Sequence, residues 1–214
     1  MVLRIVARQF RQPTGLLGRV WGRLMNRGNA RIIAGTIDAL AAEPQHRILE
    51  IGFGGGLGLH LLLAIVPRGS VTGSELSDVM LSRAERRFAD AVRDDRLQLV
   101  SAAVEQLPLD DVSFDGVITV NTVYFWSDPK RGLTEIFRVL KPGGRLVLGI
   151  RPPDSMRRLP FTRHGFTIYE PLQLEEMLAQ AGFAGARSEA YEDGRMGYIC
   201  IVVHKPASPS AVRA

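Results

Sequence analysis

The sequence has a single cysteine, Cys200, so it cannot form an internal disulfide. It also lacks the clustered cysteines and histidines that hold a metal, and we predict no metal site. Its longest apolar runs, about ten residues, are half the length that a membrane-spanning helix needs. These absences exclude a disulfide-stapled secreted domain and a zinc module. They favour a soluble, cytoplasmic protein in which Cys200 is a buried hydrophobic residue.

Acidic residues are absent from the first 37 positions, which carry seven arginines. The net charge of +5 therefore originates in this segment, because the remainder has 20 basic and 22 acidic side chains. A nucleic-acid-binding surface elsewhere on the chain is not predicted.

Three interpretations of the basic N-terminal segment stay open. Its arginines alternate with apolar residues, a pattern typical of a helix lying on an anionic membrane surface. The same composition fits a targeting peptide, although serine and threonine are scarce. The third interpretation is a helix that packs over a ligand cleft.

Short apolar runs alternate with amphipathic stretches from residue 46 onward, which predicts an α/β fold with a largely parallel sheet. Strands are predicted at 47–51, 70–75, 97–102, 116–120, 145–150, 184–191 and 197–204, and helices at 57–66, from Ser77, at 129–140 and at 171–181. Residues 141–144, Lys-Pro-Gly-Gly, predict a chain break, and 151–168 a long loop over the site. We predict a basic helical cap at 1–40, one domain at 41–205 and a poorly ordered tail at 206–214.

The first predicted strand ends in an acid and runs into a glycine-rich loop, 49–58, Leu-Glu-Ile-Gly-Phe-Gly-Gly-Gly-Leu-Gly. Glycines there permit positive φ angles and close approach of a ligand to backbone N–H groups. The dinucleotide fingerprint G-x-G-x-x-G does not fit, because Leu57 occupies the position of its last glycine. Glu75 ends the next strand, where α/β nucleotide sites place a carboxylate for ribose hydroxyls. The pair Glu50 and Glu75 favours a cationic ligand over a pyrophosphate.

With these motifs the sequence resembles the class I S-adenosylmethionine-dependent methyltransferases, particularly the small-molecule branch that includes quinone and sterol methyltransferases. The resemblance spans about 46–150. Its segments occur in the family's order: LEIGFGGG at 49–56, GSELSDVML at 73–81, LPLDDVSFDGVITVN at 107–121 and RVLKPGGRLVL at 138–148. It implies a Rossmann-like seven-stranded sheet of order 3-2-1-4-5-7-6 with helices on both faces, and S-adenosylmethionine as cofactor.

The resemblance also implies roles for individual residues. Its implied cofactor contacts are Glu50, Gly52, Gly54, Gly56 and Asn121 at the methionine end, Glu75 at the ribose, and Leu76, Met80, Ala103 and Val104 at the adenine. One departure concerns the adenine end: relatives often have Gly-Asp-Ala-Glu where this chain has Ala102-Ala103-Val104-Glu105. The acid that accepts a hydrogen bond from the adenine amino group is therefore missing, and backbone contacts are expected instead.

Methyl transfer depends mainly on alignment, so no fixed catalytic triad is expected. We predict that Tyr124 orients the acceptor, with packing under a lid as the alternative, and that Phe125 or Trp126 forms an aromatic wall near the sulfonium. His164, in the predicted loop, is the candidate general base, or with Arg157, Arg158 and Arg163 could hold an anionic substrate; a solvated loop cluster is the alternative. Asn121 to Tyr124 also overlay the Asn-Pro-Pro-Tyr motif of methyltransferases that act on exocyclic amino or amide nitrogens, a minor alternative because Thr122 and Val123 replace the prolines of its rigid turn.

The sequence thus predicts methyl transfer from S-adenosylmethionine to a small-molecule acceptor. Methylation of a membrane lipid or quinone, with peripheral membrane contact through the N-terminal segment, is the enzymatic alternative. A non-catalytic S-adenosylmethionine-binding module is the alternative of another class. The acceptor and the oligomeric state do not follow from the sequence.

Overall fold

The computed structural model describes residues 3, 7 and 15–207, with side chains throughout from residue 27 onward. Most of residues 1–14, at the start of the basic N-terminal segment, and residues 208–214 of the predicted tail lie outside the described residues. Within the described part of the chain, no helix combines the length and the apolar character needed to cross a bilayer.

Helices and strands alternate along the chain, as the sequence predicts. The helices are α1 Gly15–Leu40, α2 Leu57–Ile65, α3 Asp78–Arg87, α4 Ala89–Arg93, α5 Pro129–Val139, α6 Pro153–Arg157 and α7 Pro171–Gln180. The strands are β1 Arg47–Ile51, β2 Ser70–Glu75, β3 Leu97–Ser101, β4 Phe114–Val120, β5 Leu140–Ile150, β6 Ala184–Tyr191 and β7 Tyr198–His204. Short 3-10 helices lie at Val123–Phe125 and Pro160–Arg163.

The seven strands form one sheet in the order β3-β2-β1-β4-β5-β7-β6, which confirms the predicted order. Strands β1 to β5 pair in parallel, and β7 runs antiparallel to both β5 and β6. The strand order reverses between β1 and β4, since β2 follows β1 on one side and β5 follows β4 on the other. In an open α/β sheet, the crevice at such a reversal is where ligands bind.

Both faces of the sheet are covered, because successive side chains of each central strand point to opposite faces. Leu49, Val117 and Leu146 belong to one core, which includes buried residues of α5 and α7. Their neighbours Ile48, Ile118 and Val147 belong to the other, which includes buried residues of α1, α2 and α3. Burial on both faces explains why β1, β4 and β5 read as continuous apolar runs.

The N-terminal helix α1 is part of this second core. Its Ile32, Ile33, Ile37 and Leu40 are buried, and it packs against β4, β5 and β7. Gly28, Asn29 and Ile33 of the helix reach the crevice at the carboxyl ends of the strands. The described helical part of the predicted cap, 15–40, therefore packs against the sheet.

Two segments differ from the sequence prediction. The preceding helix ends at Val139, next to the predicted break, but residues 141–144 belong to β5: they form a bulge, where pairing passes from Phe114↔Leu140 directly to Gly116↔Arg145. The bulge is held by β7's extension, since Gly143 donates to the carbonyl of Lys205 and Lys205 donates to that of Gly144. The predicted loop 151–168 contains α6 and the second 3-10 helix, whose Met156 and Thr162 are buried.

Candidate functional site

A cavity of about 430 Å³ opens at the carboxyl ends of β1, β2 and β4. One part of its wall is polar and comes from the ends of these strands and the loops after them. The other part is apolar and comes from the 3-10 helix after β4, the segment 153–166 and the β6–β7 turn. The cavity therefore lies at the strand-order reversal, as the fold predicts for a ligand site.

The glycine-rich loop after β1 needs glycine for conformational reasons at three positions. Gly52, Gly54 and Gly56 have φ angles of 70°, 49° and 74°. A Cβ on Gly52 would also lie 2.5 Å from Cγ2 of Thr122 in the neighbouring loop. Gly52 and Gly54 line the cavity, whereas Gly56 precedes α2 and lies behind the lining.

Glu50 places a buried carboxylate in this cavity without a hydrogen-bond partner for its Oε2 atom. Its side chain packs so closely on the start of α2 that a Cβ on Gly58 would lie 2.1 Å from Oε1. Burial, together with the nearby charge of Glu75, raises the pKa of Glu50 to about 8. A buried carboxylate in this state favours a ligand that supplies a positively charged hydrogen-bond donor.

Glu75, at the end of β2, is held by three backbone N–H groups. Gly54 donates to Oε2 at 2.9 Å, and Leu76 and Ser77 donate to Oε1 at 2.8 and 3.0 Å. Burial raises its pKa above the ordinary value, although these hydrogen bonds act in the opposite direction. The carboxylate is thus fixed against the glycine loop and retains acceptor capacity toward the cavity.

Asn121, directly after β4, adopts a left-handed conformation with φ of 56°. Its Nδ2 donates to Oδ1 of Asn29 on α1 at 3.2 Å, while its own Oδ1 is buried without a partner. Three buried side-chain polar atoms lack a partner among the described residues, and two of them belong to the cavity-lining pair Glu50 and Asn121. Buried polar atoms are normally bonded, so this pair indicates a ligand at this end.

The predicted adenine end is only partly assembled. Ala103, Val104 and Leu76 line the cavity. Met80 does not line the cavity. It lies on the buried side of α3, in the core, and this position does not support the predicted contact with adenine. Glu105 does not replace the missing acid, because its Oε1 accepts hydrogen bonds from Ser127 and from the N–H of Asp128.

Tyr124 lies in the wall of the cavity, but its hydroxyl is already bonded. It accepts from the N–H of Arg151 at 2.8 Å, and it lies 3.4 Å from the carbonyl oxygen of the same residue. Burial raises its pKa above the ordinary value. The contacts favour the alternative reading of Tyr124, as a packing residue that ties the loop after β4 to the end of β5.

Trp126 is oriented by a chain of hydroxyl contacts across the site. Its Nε1 donates to Oγ1 of Thr122 at 3.2 Å, Thr122 pairs with Thr119, and Thr119 donates to the carbonyl of Ile51 at 3.2 Å. The indole also packs on α5, where Gly132 leaves room for it. Trp126 and Phe125 both line the cavity, and their place near the sulfonium stays a prediction.

The apolar part of the cavity consists largely of aromatic side chains. Phe125 and Phe166 pack edge to face with centroids 4.5 Å apart, and Phe161 lies 5.8 Å from Phe166. His164 lies between them in sequence but does not line the cavity. The structure therefore does not place the predicted general base at the site.

Several lining residues were not predicted from the sequence. They are Gly28 and Asn29 of α1, Arg151 at the end of β5, and Arg195 and Met196 of the β6–β7 turn. Arg151 joins these parts: it forms a buried ion pair with Asp193 and donates to the carbonyls of Gly197 and Gly28. The sequence signals this ion pair only weakly, by one basic and one acidic residue, Arg151 and Asp193, that each lie next to an apolar strand.

Comparison with known proteins adds an independent line of evidence. Residues 49–148 match the methyltransferase domain family. The uncharacterized methyltransferase YdaC of Bacillus subtilis is 31% identical over 134 residues, which cover 63% of this chain and 72% of that protein. The demethylmenaquinone methyltransferase of Clavibacter sepedonicus is 36% identical over 134 residues, covering 63% of this chain and 51% of that protein.

A solved structure of a SAM-dependent methyltransferase from Aquifex aeolicus has the same fold. Its TM-score is 0.71 at 17% identity, and the match covers 87% of this chain and 98% of the other. At this level of identity the likeness concerns the fold alone.

Proposed function

The chain belongs to the class I S-adenosylmethionine-dependent methyltransferases, and we propose that it methylates a small-molecule acceptor bound in the apolar part of the cavity. The observation that carries the proposal is the pair Glu50 and Asn121: both residues line the cavity beside the glycine loop, and each has a buried oxygen atom without a hydrogen-bond partner among the described residues. When bound, the cofactor supplies a methyl group activated by attachment to a positively charged sulfur.

The residues at the polar end fit this cofactor. The free oxygens of Glu50 and Asn121 would accept from its ammonium group, with Gly52 and Gly54 allowing its methionine part to approach the backbone. Glu75, fixed by three N–H groups, would accept from the ribose hydroxyls. Leu76 would cover one face of the adenine, and the backbone at Ala103 and Val104 would meet its edge.

On the acceptor side, the residues exclude water and fix orientation. Trp126 lies in the aromatic wall, where its π face would stabilise the sulfonium charge by about 0.5–2 kcal/mol. The apolar side chains of segment 153–166 and Met196 line this part of the cavity and would displace water from around the acceptor. No histidine or lysine lines the cavity among the described residues, so alignment rather than proton abstraction is the contribution of the protein.

Calorimetry of the full chain with S-adenosylmethionine and S-adenosylhomocysteine tests the proposal. We expect both to bind, and we expect Glu75→Ala to weaken binding by about 1.5–3 kcal/mol, the scale of a charged hydrogen bond. Glu85→Ala removes an exposed carboxylate from the adjacent helix α3 and serves as the control. Absence of binding to the unmodified chain would refute the proposal.

Turnover separates an enzyme from a binding module. Incubation with labelled S-adenosylmethionine and a library of small acceptors should yield S-adenosylhomocysteine and a labelled product. Binding without transfer to any acceptor would favour the non-catalytic alternative.

Methylation of a membrane lipid or quinone is a second candidate, favoured by the aromatic lining and by the quinone-methylating relative. Flotation with anionic vesicles tests its membrane component. Loss of flotation after deletion of residues 1–12 would support it, and absence of flotation by the full chain would count against it.

A further inference from the structure

We propose that the acceptor is an apolar carboxylic acid, bound as its carboxylate, and that the exposed Arg195 at the rim of the cavity recognises this group. The inference rests on the proposed function and adds the chemical class of the acceptor. It depends on which ionisable groups line the cavity and on which of them are already engaged.

Six residues with ionisable side chains line the cavity: Glu50, Glu75, Glu105, Tyr124, Arg151 and Arg195. The first two lie at the polar end, where they would hold the cofactor. The carboxylate of Glu105 is bonded to Ser127 and Asp128, and the hydroxyl of Tyr124 to the backbone of Arg151. The guanidinium of Arg151 is bonded to Asp193 and to two carbonyls.

Arg195 is the sixth of these ionisable lining residues. Its backbone N–H donates to Asp193 Oδ1 at 2.9 Å, which fixes the turn. Its side chain, in contrast, has no carboxylate partner within ion-pair distance among residues 27–207. The rim of an aromatic cavity therefore carries a guanidinium that is free to pair with an anion.

A second arginine adds to the positive charge at this rim. Nη1 of Arg31, on α1, lies 3.8 Å from the position that a Cβ on Gly194 would take. Arg31 likewise has no carboxylate partner among the described ion pairs. Two guanidinium groups near one turn favour an anionic acceptor and disfavour an amine, which becomes positively charged when it is methylated.

The described lining residues include no histidine or lysine that could act as a base, and this narrows the chemical class of the anionic acceptor further. A phenol or an alcohol must lose a proton to react well, and Glu105 is a poor base for it, because, although burial opposes its ionisation, hydrogen bonds from Ser127 and Asp128 hold its pKa below the ordinary value. A carboxylic acid has a pKa near 4 and is already ionised at neutral pH, whereas a phenol has a pKa near 10. A carboxylate is thus the anion that reacts without assistance from this site.

The corresponding reaction balances without a further reactant. The carboxylate oxygen uses a lone pair to form a bond to the methyl carbon as the carbon–sulfur bond breaks, and that bonding pair remains on sulfur. The products are a methyl ester and S-adenosylhomocysteine. The negative charge of the acceptor and the positive charge of sulfur are both neutralised, and no proton is transferred.

Acceptor binding is measured by calorimetry on the full chain saturated with S-adenosylhomocysteine. The probes are decanoate and cinnamate, with decanol and cinnamyl alcohol as uncharged counterparts of the same shape. We expect at least one acid to bind, its alcohol to bind at least tenfold more weakly, and Arg195→Gln to remove this difference. Arg187→Gln, which removes a guanidinium from the exposed strand β6 outside the lining, should leave both affinities unchanged.

With S-adenosylmethionine in place of the product, the bound acid should be recovered as its methyl ester. Equal binding of acids and alcohols, or an acid preference that survives Arg195→Gln, would overturn the assignment to Arg195. Binding of an acid without ester formation would overturn the carboxylate as the methylated group. Failure of S-adenosylhomocysteine itself to bind would refute the proposed function instead, so the two failures are distinguishable.

Discussion

The guanidinium of Arg151 and the carboxylate of Asp193 form a buried ion pair that connects the end of β5 to the β6–β7 turn. Their side chains are 7% and 3% exposed. Asp193 accepts three further N–H groups, from Arg195, Met196 and Gly197. The pair thus determines where the turn that bears Arg195 lies relative to the cavity.

Breaking this pair should destabilise the protein strongly. Asp193→Asn or Arg151→Met leaves the other charge buried without its partner, and we expect the free energy of unfolding to fall by about 3–5 kcal/mol. Urea denaturation measures this loss. Asp90→Asn, which breaks an exposed pair with Arg93, is the control and should have little effect. If Asp193→Asn were as stable as Asp90→Asn, this result would contradict the burial of the pair between Arg151 and Asp193.

The same pair predicts how stability depends on acid. Burial opposes ionisation of Asp193, but the hydrogen bonds from Arg151 and the backbone outweigh it and hold its pKa below the usual range. Its contribution to stability is therefore present above the unfolded-state pKa of about 4 and is lost as the pH falls further. The difference in the free energy of unfolding between the native chain and Asp193→Asn should therefore become smaller as the pH falls from 5 to 2, as urea denaturation would show.

Glu50→Gln should have opposite effects on stability and on cofactor binding. Because the folded-state pKa of Glu50 is about 8, the protonated form fits the free protein, and stability declines as the pH rises from about 4.5 through 8. The variant removes this decline, so we expect it to be more stable at pH 8 by roughly 1–3 kcal/mol. Calorimetry should show weaker binding of S-adenosylmethionine. A variant that is less stable at pH 8 would contradict the raised pKa.

Cofactor affinity should rise with pH below the pKa of Glu50. In the free site Glu50 holds a proton up to pH 8, and an ammonium group binds the carboxylate form, so binding releases that proton. Between pH 6 and pH 7.5 we expect affinity for S-adenosylhomocysteine to increase by roughly tenfold. Methylthioadenosine, which lacks the amino acid part, should show no such increase, and neither should the Glu50→Gln variant with either ligand.

Ala103→Asp should strengthen recognition of adenine. The position lines the cavity, and a carboxylate there would accept from the adenine amino group. We expect S-adenosylhomocysteine to bind more tightly by about 0.5–1.5 kcal/mol. S-inosylhomocysteine, which has an oxygen in place of that amino group, should not bind the variant more tightly than it binds the native chain. An equal gain for both ligands would place the adenine elsewhere.

The sequence was most informative where a feature is local. The turn after β1 needs positive φ angles that glycine provides, and the strands read as apolar runs because both faces are covered. The loop after β4 was also predicted to approach the ligand, since it follows a strand at the reversal of the sheet.

Contacts between distant segments were not predictable in the same way. Asn29 meets Asn121 across 92 positions, and Arg151 meets Asp193 across 42, and neither pair belongs to a periodic pattern. Met80 was assigned to the ligand on family resemblance, yet α3 turns it into the core. His164 was chosen for its chemistry alone, and the folding of 153–163 into short helices leaves it outside the cavity.

The long helix α1 also bears on the order in which the molecule is assembled during synthesis. It is made before any strand, but it packs against β5 and β7, which emerge from the ribosome more than 100 residues later. Domains in which early segments wait for late partners fold slowly and expose apolar surface in the meantime. The contacts of α1 with α2 and β4 can therefore form first, whereas its contacts with β5 and β7 must wait until those strands have been translated.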